Sequence, residues 1–200
     1  ICKSIYNMQK LQRIIVFFCF FLFINIINIE ADLPVIHASP VNYKIDTLSK
    51  VYSLPDEWNF ICRDFQSFKK VQKTGLNWEK FSIHNDWVKV PKYSDHYNNA
   101  WYKLIINIEN VDADAGLWLP MQMRGTQVYI NGELIHETRT FNNGKTPPSV
   151  GKPVLIKIPS RIFNEGNNNL ALRTGTLDYR AGLNGPVYIG NYKELYKRLS

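Results

Sequence analysis

The sequence predicts an all-β fold, an antiparallel β-sandwich of jelly-roll type, and three observations predict it. The segment Arg124-Gly-Thr-Gln-Val-Tyr-Ile-Asn-Gly-Glu-Leu-Ile-His136 joins two apolar-rich runs through Asn131-Gly132, the dipeptide that a two-residue hairpin turn asks for. Both central positions of such a turn need positive φ, which Asn tolerates and Gly adopts without steric cost. Apolar residues alternate with period two at several places, and clusters of Gly, Asn, Asp and Pro stand between them. Roughly eight strands with one Asn-Gly hairpin and no internal repeat fit two packed sheets better than a propeller or an up-and-down barrel.

Tyr102, Leu104, Ile106 and Ile108 share one side of a strand whose other side carries Lys103, Asn107 and Glu109. Val154, Ile156 and Ile158 repeat the arrangement around Lys157, as do Leu170 and Leu172 beside Arg173. Each pattern is that of a strand with one face on a core and one toward solvent. The punctuators are Asp112-Ala-Asp-Ala-Gly116, Asn164-Glu-Gly-Asn-Asn-Asn169 and Gly182-Leu-Asn-Gly-Pro186. Residues 139–152 show no period and hold two Gly and two Pro, so they read as a long loop, of the kind that either binds a ligand or moves.

Ahead of the sandwich, Met8 is followed by Lys10, Arg13 and an apolar run from Ile14 to Ile24 that weakens at Asn25 and Asn28. This reads as a signal peptide starting at Met8 and cleaved near Ala31 or Ala38, or as an uncleaved anchor, with residues 1–7 upstream of it. The expected organisation is therefore leader through 31, linker over 32–45, sandwich over 46–192, and a short connector over 193–200 leading toward a further carboxyl-terminal region. The domain is expected to be exported, periplasmic or membrane-associated on the extracytoplasmic side.

Cys2 and Cys19 fall in the leader, so the exported domain keeps Cys62 alone, without an internal disulfide. A single Cys in such a domain reads as a small buried hydrophobe. The net charge of +7 includes Lys3, Lys10, Arg13 and Glu30 of the leader, which together contribute +2. The dense basic stretch Lys69-Lys70 with Lys73 lacks the interleaved aromatics of a single-strand platform and reads as a solvated loop, so no nucleic-acid partner is expected.

No catalytic constellation is legible. Asp112 and Asp114 sit two apart in a Gly-containing turn, where carboxylates accept from backbone amides rather than act as an acid/base pair. His37, His84, His96 and His136 are scattered without zinc-ligand spacing, and neither a nucleophile elbow nor a phosphate loop occurs. The reading is a non-enzymatic chain with no cofactor and no metal.

Binding needs less: an aromatic surface and a few convergent polar groups. Trp101 and Trp118 have neighbours in core-facing register, which puts both indoles on the opposite sheet faces, either as ligand platforms or as a second packed layer. Arg173 joins Arg124 and Arg180 as a possible forked donor to a carboxylate or sugar hydroxyl. The expected ligand-binding residues are Trp118, Arg124, Asn143, Lys145 and Arg180, the middle pair contributed by the long loop.

The order of Trp58 with Phe60, Trp78 through Trp87, Ala100-Trp-Tyr102, Leu117-Trp-Leu-Pro120, Gln127-Val-Tyr-Ile-Asn-Gly132, Glu165-Gly-Asn-Asn-Asn-Leu170 and Val187-Tyr-Ile-Gly190 resembles galactose-binding-like domains. The resemblance covers Asp46 to Leu199. It is similar to the amino-terminal jelly roll of β-galactosidase-type glycosidases, and more so to the periplasmic domain of bacterial seven-transmembrane sensors. The ending Val187-Tyr-Ile-Gly-Asn-Tyr-Lys-Glu-Leu-Tyr-Lys-Arg-Leu199 resembles the sensor pattern, in which a last strand runs into a short basic helix before the membrane. What the resemblance implies is a ligand-binding sensory domain for a carbohydrate or small carboxylate, reaching a membrane bundle through carboxyl-terminal helices. The alternatives are a non-catalytic carbohydrate-binding domain of a family 2-like glycosidase and a structural or adhesion sandwich.

Overall fold

The computed structural model describes residues 36–37, 43–63, 65, 67–72, 76–94, 99–120, 125–138, 152–177 and 180–199. Residues 1–31, the expected leader, lie outside them, and no helix among the described residues is long and apolar enough to cross a membrane.

Two mostly antiparallel sheets form a sandwich. The first holds five strands in the order β1 (Ile36–His37), β3 (Val51–Ser53), β13 (Tyr188–Asn191), β7 (Ala115–Leu119) and β10 (Val154–Ile158). The second runs β5 (Glu79–Ser82), β4 (Glu57–Ile61), β6 (Asn99–Asn110), β11 (Gly166–Leu177), β8 (Thr126–Ile130) and β9 (Glu133–Glu137), with β2 (Lys44–Thr47) on β6 and β12 (Arg180–Ala181) on β11. Thirteen strands thus stand, among the described residues, where about eight are expected from periodicity. The difference lies in pieces of two to four residues, too short to show a period.

Inward side chains of both sheets meet in one core. Leu104, Ile106 and Ile108 from β6, Leu117 and Leu119 from β7, Ile156 and Ile158 from β10, and Leu170 and Leu172 from β11 all belong to it, as the alternation anticipates. Asn131 and Gly132 turn between β8 and β9 at φ of 52° and 90°, the positive pair that their sequence predicts. The Asn131 amide also holds the neighbouring turn, donating to Ile162 O and Asn168 Oδ1 while its Oδ1 accepts from Asn169 N at 2.9 Å.

A second apolar layer lies on the outer face of the eight-stranded sheet. The segment around α1 (Phe68–Val71) covers Ile61, Trp101, Tyr129 and Ala171, closing over an area that strand alternation alone leaves open to water. α2 (Pro91–Ser94) follows a short 3-10 turn at Trp87–Lys89 and ties the β5 edge through Lys92 and Tyr93, both of which donate to Glu79 Oε2.

The chain leaves β13 directly into α3 (Tyr192–Leu199), whose first turn is capped by Asn191 Oδ1 accepting from Lys193 N at 3.0 Å and Glu194 N at 3.2 Å. This helix lies on the outer face of the five-stranded sheet, with Leu195 buried against it.

Candidate functional site

On β7, Ala115, Leu117 and Leu119 point into the core, so Gly116 and Trp118 face outward. Register then builds one outward row across four strands: Ser53 on β3, Tyr188 on β13, Trp118 on β7 and Leu155 on β10. The next row is Val51, Gly190, Gly116 and Lys157, and this is the one that α3 roofs. The Trp118 row therefore forms a half-covered aromatic strip beside the helix.

Within the strip the Trp118 and Tyr188 rings stand 5.3 Å apart between centroids and are tilted by 50°. Both residues, and Leu155, are half-buried. The Trp118 ring nitrogen is buried and, among the described residues, has no hydrogen-bond partner. An unpaired buried donor costs about 1–3 kcal/mol, which a ligand hydroxyl or water reaching the N–H would recover. Glu194 Oε2 of α3 is likewise buried without a donor among the described residues.

The two outward tryptophans divide. Trp101 is fully buried beneath the α1 segment, its Nε1–H donating to Phe65 O at 3.0 Å, and it is a second-layer core residue. Trp118 keeps the half-open position that a platform requires. Arg173, considered above as a surface donor, is 7 % exposed and donates from Nη1 to Gln127 Oε1 at 3.2 Å, inside a network that also includes Tyr129 and Glu137. It braces the sheet and does not present its fork to solvent.

Arg124, Asn143 and Lys145 lie outside the described residues, as does the side chain of Arg180. The strand ends flanking them share one end of the sandwich. Leu119 and Thr126 flank the segment holding Arg124, and Glu137 and Val154 flank the long loop. Val154 pairs with Leu119, Gln127 with Glu137, Thr126 with Thr174, and Arg180 with Leu177. Trp118 sits one residue from that end.

Sequence reasoning missed a feature here. Thr126 and Thr174 face each other on β8 and β11, fully buried, with both hydroxyls unpartnered among the described residues. No local signal marks them, because a Thr in a strand is ordinary and only cross-strand register shows that two face one core.

Asp112 and Asp114 are staples. Asp112 Oδ2 accepts from the Thr47 and Ser49 hydroxyls at 2.5 and 2.6 Å, which holds its carboxyl below the usual range. Asp114 accepts from Ser160 N at 3.0 Å and pairs with Lys157. Among the described residues no three His, Cys, Asp or Glu side chains gather as a metal site.

No family model matches the chain, and no curated protein does. Solved structures do. A β-glucuronidase from an uncultured Clostridium matches with a TM-score of 0.55 at 16% identity, over 70% of this chain and 28% of that one. The Ruminococcus gnavus β-glucuronidase in complex with D-glucuronic acid gives 0.54 at 15%, with the same coverages. A family 2 β-galacturonidase from Eisenbergiella tayi bound to galacturonate gives 0.52 at 12%, over 70% and 24%. These likenesses establish the sandwich fold, and the chain spans about a quarter of those enzymes' length.

Proposed function

We propose that the protein is a non-catalytic, extracytoplasmic recognition domain that binds a carbohydrate on the outer face of its five-stranded sheet. The observation that carries this reading is the half-buried Trp118–Tyr188 pair, with a Trp118 indole N–H that lacks an acceptor among the described residues. Apolar ring faces of a sugar lie against aromatic surface, and its hydroxyls supply acceptors for such a donor. The sandwich shared with family 2 glycosidases supports a sugar ligand over other small molecules. The face extends toward the strand ends that flank the segments holding Arg124, Arg180, Asn143 and Lys145, and in this reading those four residues are the remaining donors to the ligand.

One observation favours a second, sensory use of the same domain. β13 carries Tyr188 on the ligand face and passes into α3 after Asn191, so the strand under the proposed ligand is continuous with the terminal helix. In that reading the domain reports ligand occupancy to a membrane bundle beyond the helix.

Calorimetric titration against monosaccharides, oligosaccharides and small carboxylates tests the proposal. Binding to a sugar that Trp118→Ala weakens tenfold or more, with the melting transition still cooperative, is the expected result. Unfolding by Trp118→Ala, or unchanged affinity, removes the platform.

A further inference from the structure

The outer face of the eight-stranded sheet carries a second, chemically different surface. Outward from the inter-sheet core, β5, β4 and β6 present Lys80, Asn59 and Lys103 in one register row. The two lysines flank the asparagine at a separation of about two strand spacings, roughly 10 Å. Lys103 is held in place: its ammonium stands 5.7 Å from the centre of the Trp78 ring, and Trp78 itself packs on the second apolar layer. Lys69 and Lys70 rise from the exposed side of α1, whose Phe68 and Val71 are turned down onto the same sheet face.

Four ammonium groups thus stand on one face. Among the described residues, none of Lys69, Lys70, Lys80 and Lys103 forms an ion pair, whereas Lys44, Lys89, Lys92 and Lys157 each have a carboxylate. The nearest outward-facing acid in sheet register is Glu57, in the adjoining row opposite Ser82. Unmatched positive charge around an asparagine amide is complementary to a chain of regularly spaced anions bearing hydroxyls.

We infer that this face binds an acidic oligosaccharide, its ring carboxylates at Lys80 and Lys103 and a hydroxyl between them at the Asn59 amide. Lys80, Asn59 and Lys103 are all polar, and the exposed large apolar side chain beside them is Ile105, two residues along β6. The site is distinct from the Trp118 strip, on the other sheet, and does not depend on it.

The experiment compares a short oligogalacturonate with its methyl ester, which keeps the rings and hydroxyls but removes the charge, by calorimetry at low and high salt. The acid is expected to bind, and to bind more weakly in salt. The ester is expected to fail. Lys80→Gln and Lys103→Gln each weaken binding about threefold, and the double variant about tenfold, the range for exposed charge pairs. Glu57→Gln strengthens it, and the lysine dependence is expected to persist in a Trp118→Ala background, which removes any contribution of the strip on the other sheet. All four positions are solvent-facing or half-buried, and an unaltered melting transition in each variant confirms that charge alone is being read. Equal binding of acid and ester, or retention by the double variant, overturns the assignment. So does lysine-dependent capture of vesicles containing anionic lipid without any binding of the oligogalacturonate.

Discussion

Leu195 of the terminal helix occupies the space that a side chain at position 116 would need. A Cβ placed on Gly116 meets Leu195 Cδ1 at 3.0 Å and Tyr192 Cα at 3.1 Å. The glycine is therefore a packing notch in β7 that lets α3 lie on the sheet.

Filling that notch is expected to lift the helix. Gly116→Val should undock α3 while the two sheets persist, seen as faster amide exchange over 192–199 with a still-cooperative melt. Leu195→Ala leaves the notch empty and should cost about 2 kcal/mol, the low end for a buried leucine because the site lies at the chain's edge. Unchanged exchange in Gly116→Val would mean that the helix does not depend on this contact.

Two positive-φ glycines should differ sharply. At Gly132 an added Cβ meets nothing closer than Phe68 Cε1 at 3.6 Å, so Gly132→Ala carries only the backbone cost of about 1–2 kcal/mol. At Gly190, with φ of 136°, the same atom would stand 1.8 Å from Lys50 O, whose carbonyl accepts from Asn191 N. Gly190→Ala must break the β3–β13 pairing and should cost at least about 3 kcal/mol by chemical denaturation. Equal losses would refute the geometry.

The outward tryptophans should also separate. Trp101→Ala empties a fully buried site and is expected to cost about 3–5 kcal/mol. Trp101→Phe keeps most of the volume but strands the Phe65 carbonyl, for about 1 kcal/mol. Trp118→Ala should be milder than Trp101→Ala. A reversed order would make Trp118 the structural residue.

Burial pushes the Cys62 thiol up to about 12 from an ordinary 9.0. The native thiol should resist alkylation at pH 8 and react on unfolding. Above about pH 9 the unfolded chain releases this proton while the folded chain keeps it, so stability present below that pH declines as pH rises toward about 12. Cys62→Val should flatten that part of the alkaline stability profile relative to the parent. Parallel profiles would exclude the thiol as a contributor.

Local sequence specifies the hairpin at Asn131-Gly132 and the three alternating strands, because turn dihedrals and period-two burial are properties of adjacent residues. It also places Trp101 and Trp118 on outward faces. It does not distinguish them, since what separates a covered indole from a half-open one is the segment around Phe68 and Val71, thirty residues away and without a recognisable period. Arg173 is hidden for the same reason: its strand reads as half-exposed, and only the register with Gln127 and Glu137 shows a braced network. The amphipathic spacing of Leu195 is visible in sequence, but not the glycine notch that receives it.

The position of β13 governs how this protein can be made. The last strand of the sandwich lies in the middle of its sheet, between β3, which stands near the start of the sandwich in sequence, and β7, which stands near its midpoint. Until residues 188–191 leave the ribosome, both of those strands have an unsatisfied edge, and the five-stranded sheet cannot close. Stalled or prematurely terminated synthesis therefore yields a half-assembled, adhesive product rather than a shorter stable domain. Closure of the five-stranded sheet thus waits for residues 188–191, whereas the eight-stranded sheet contains no part of β13.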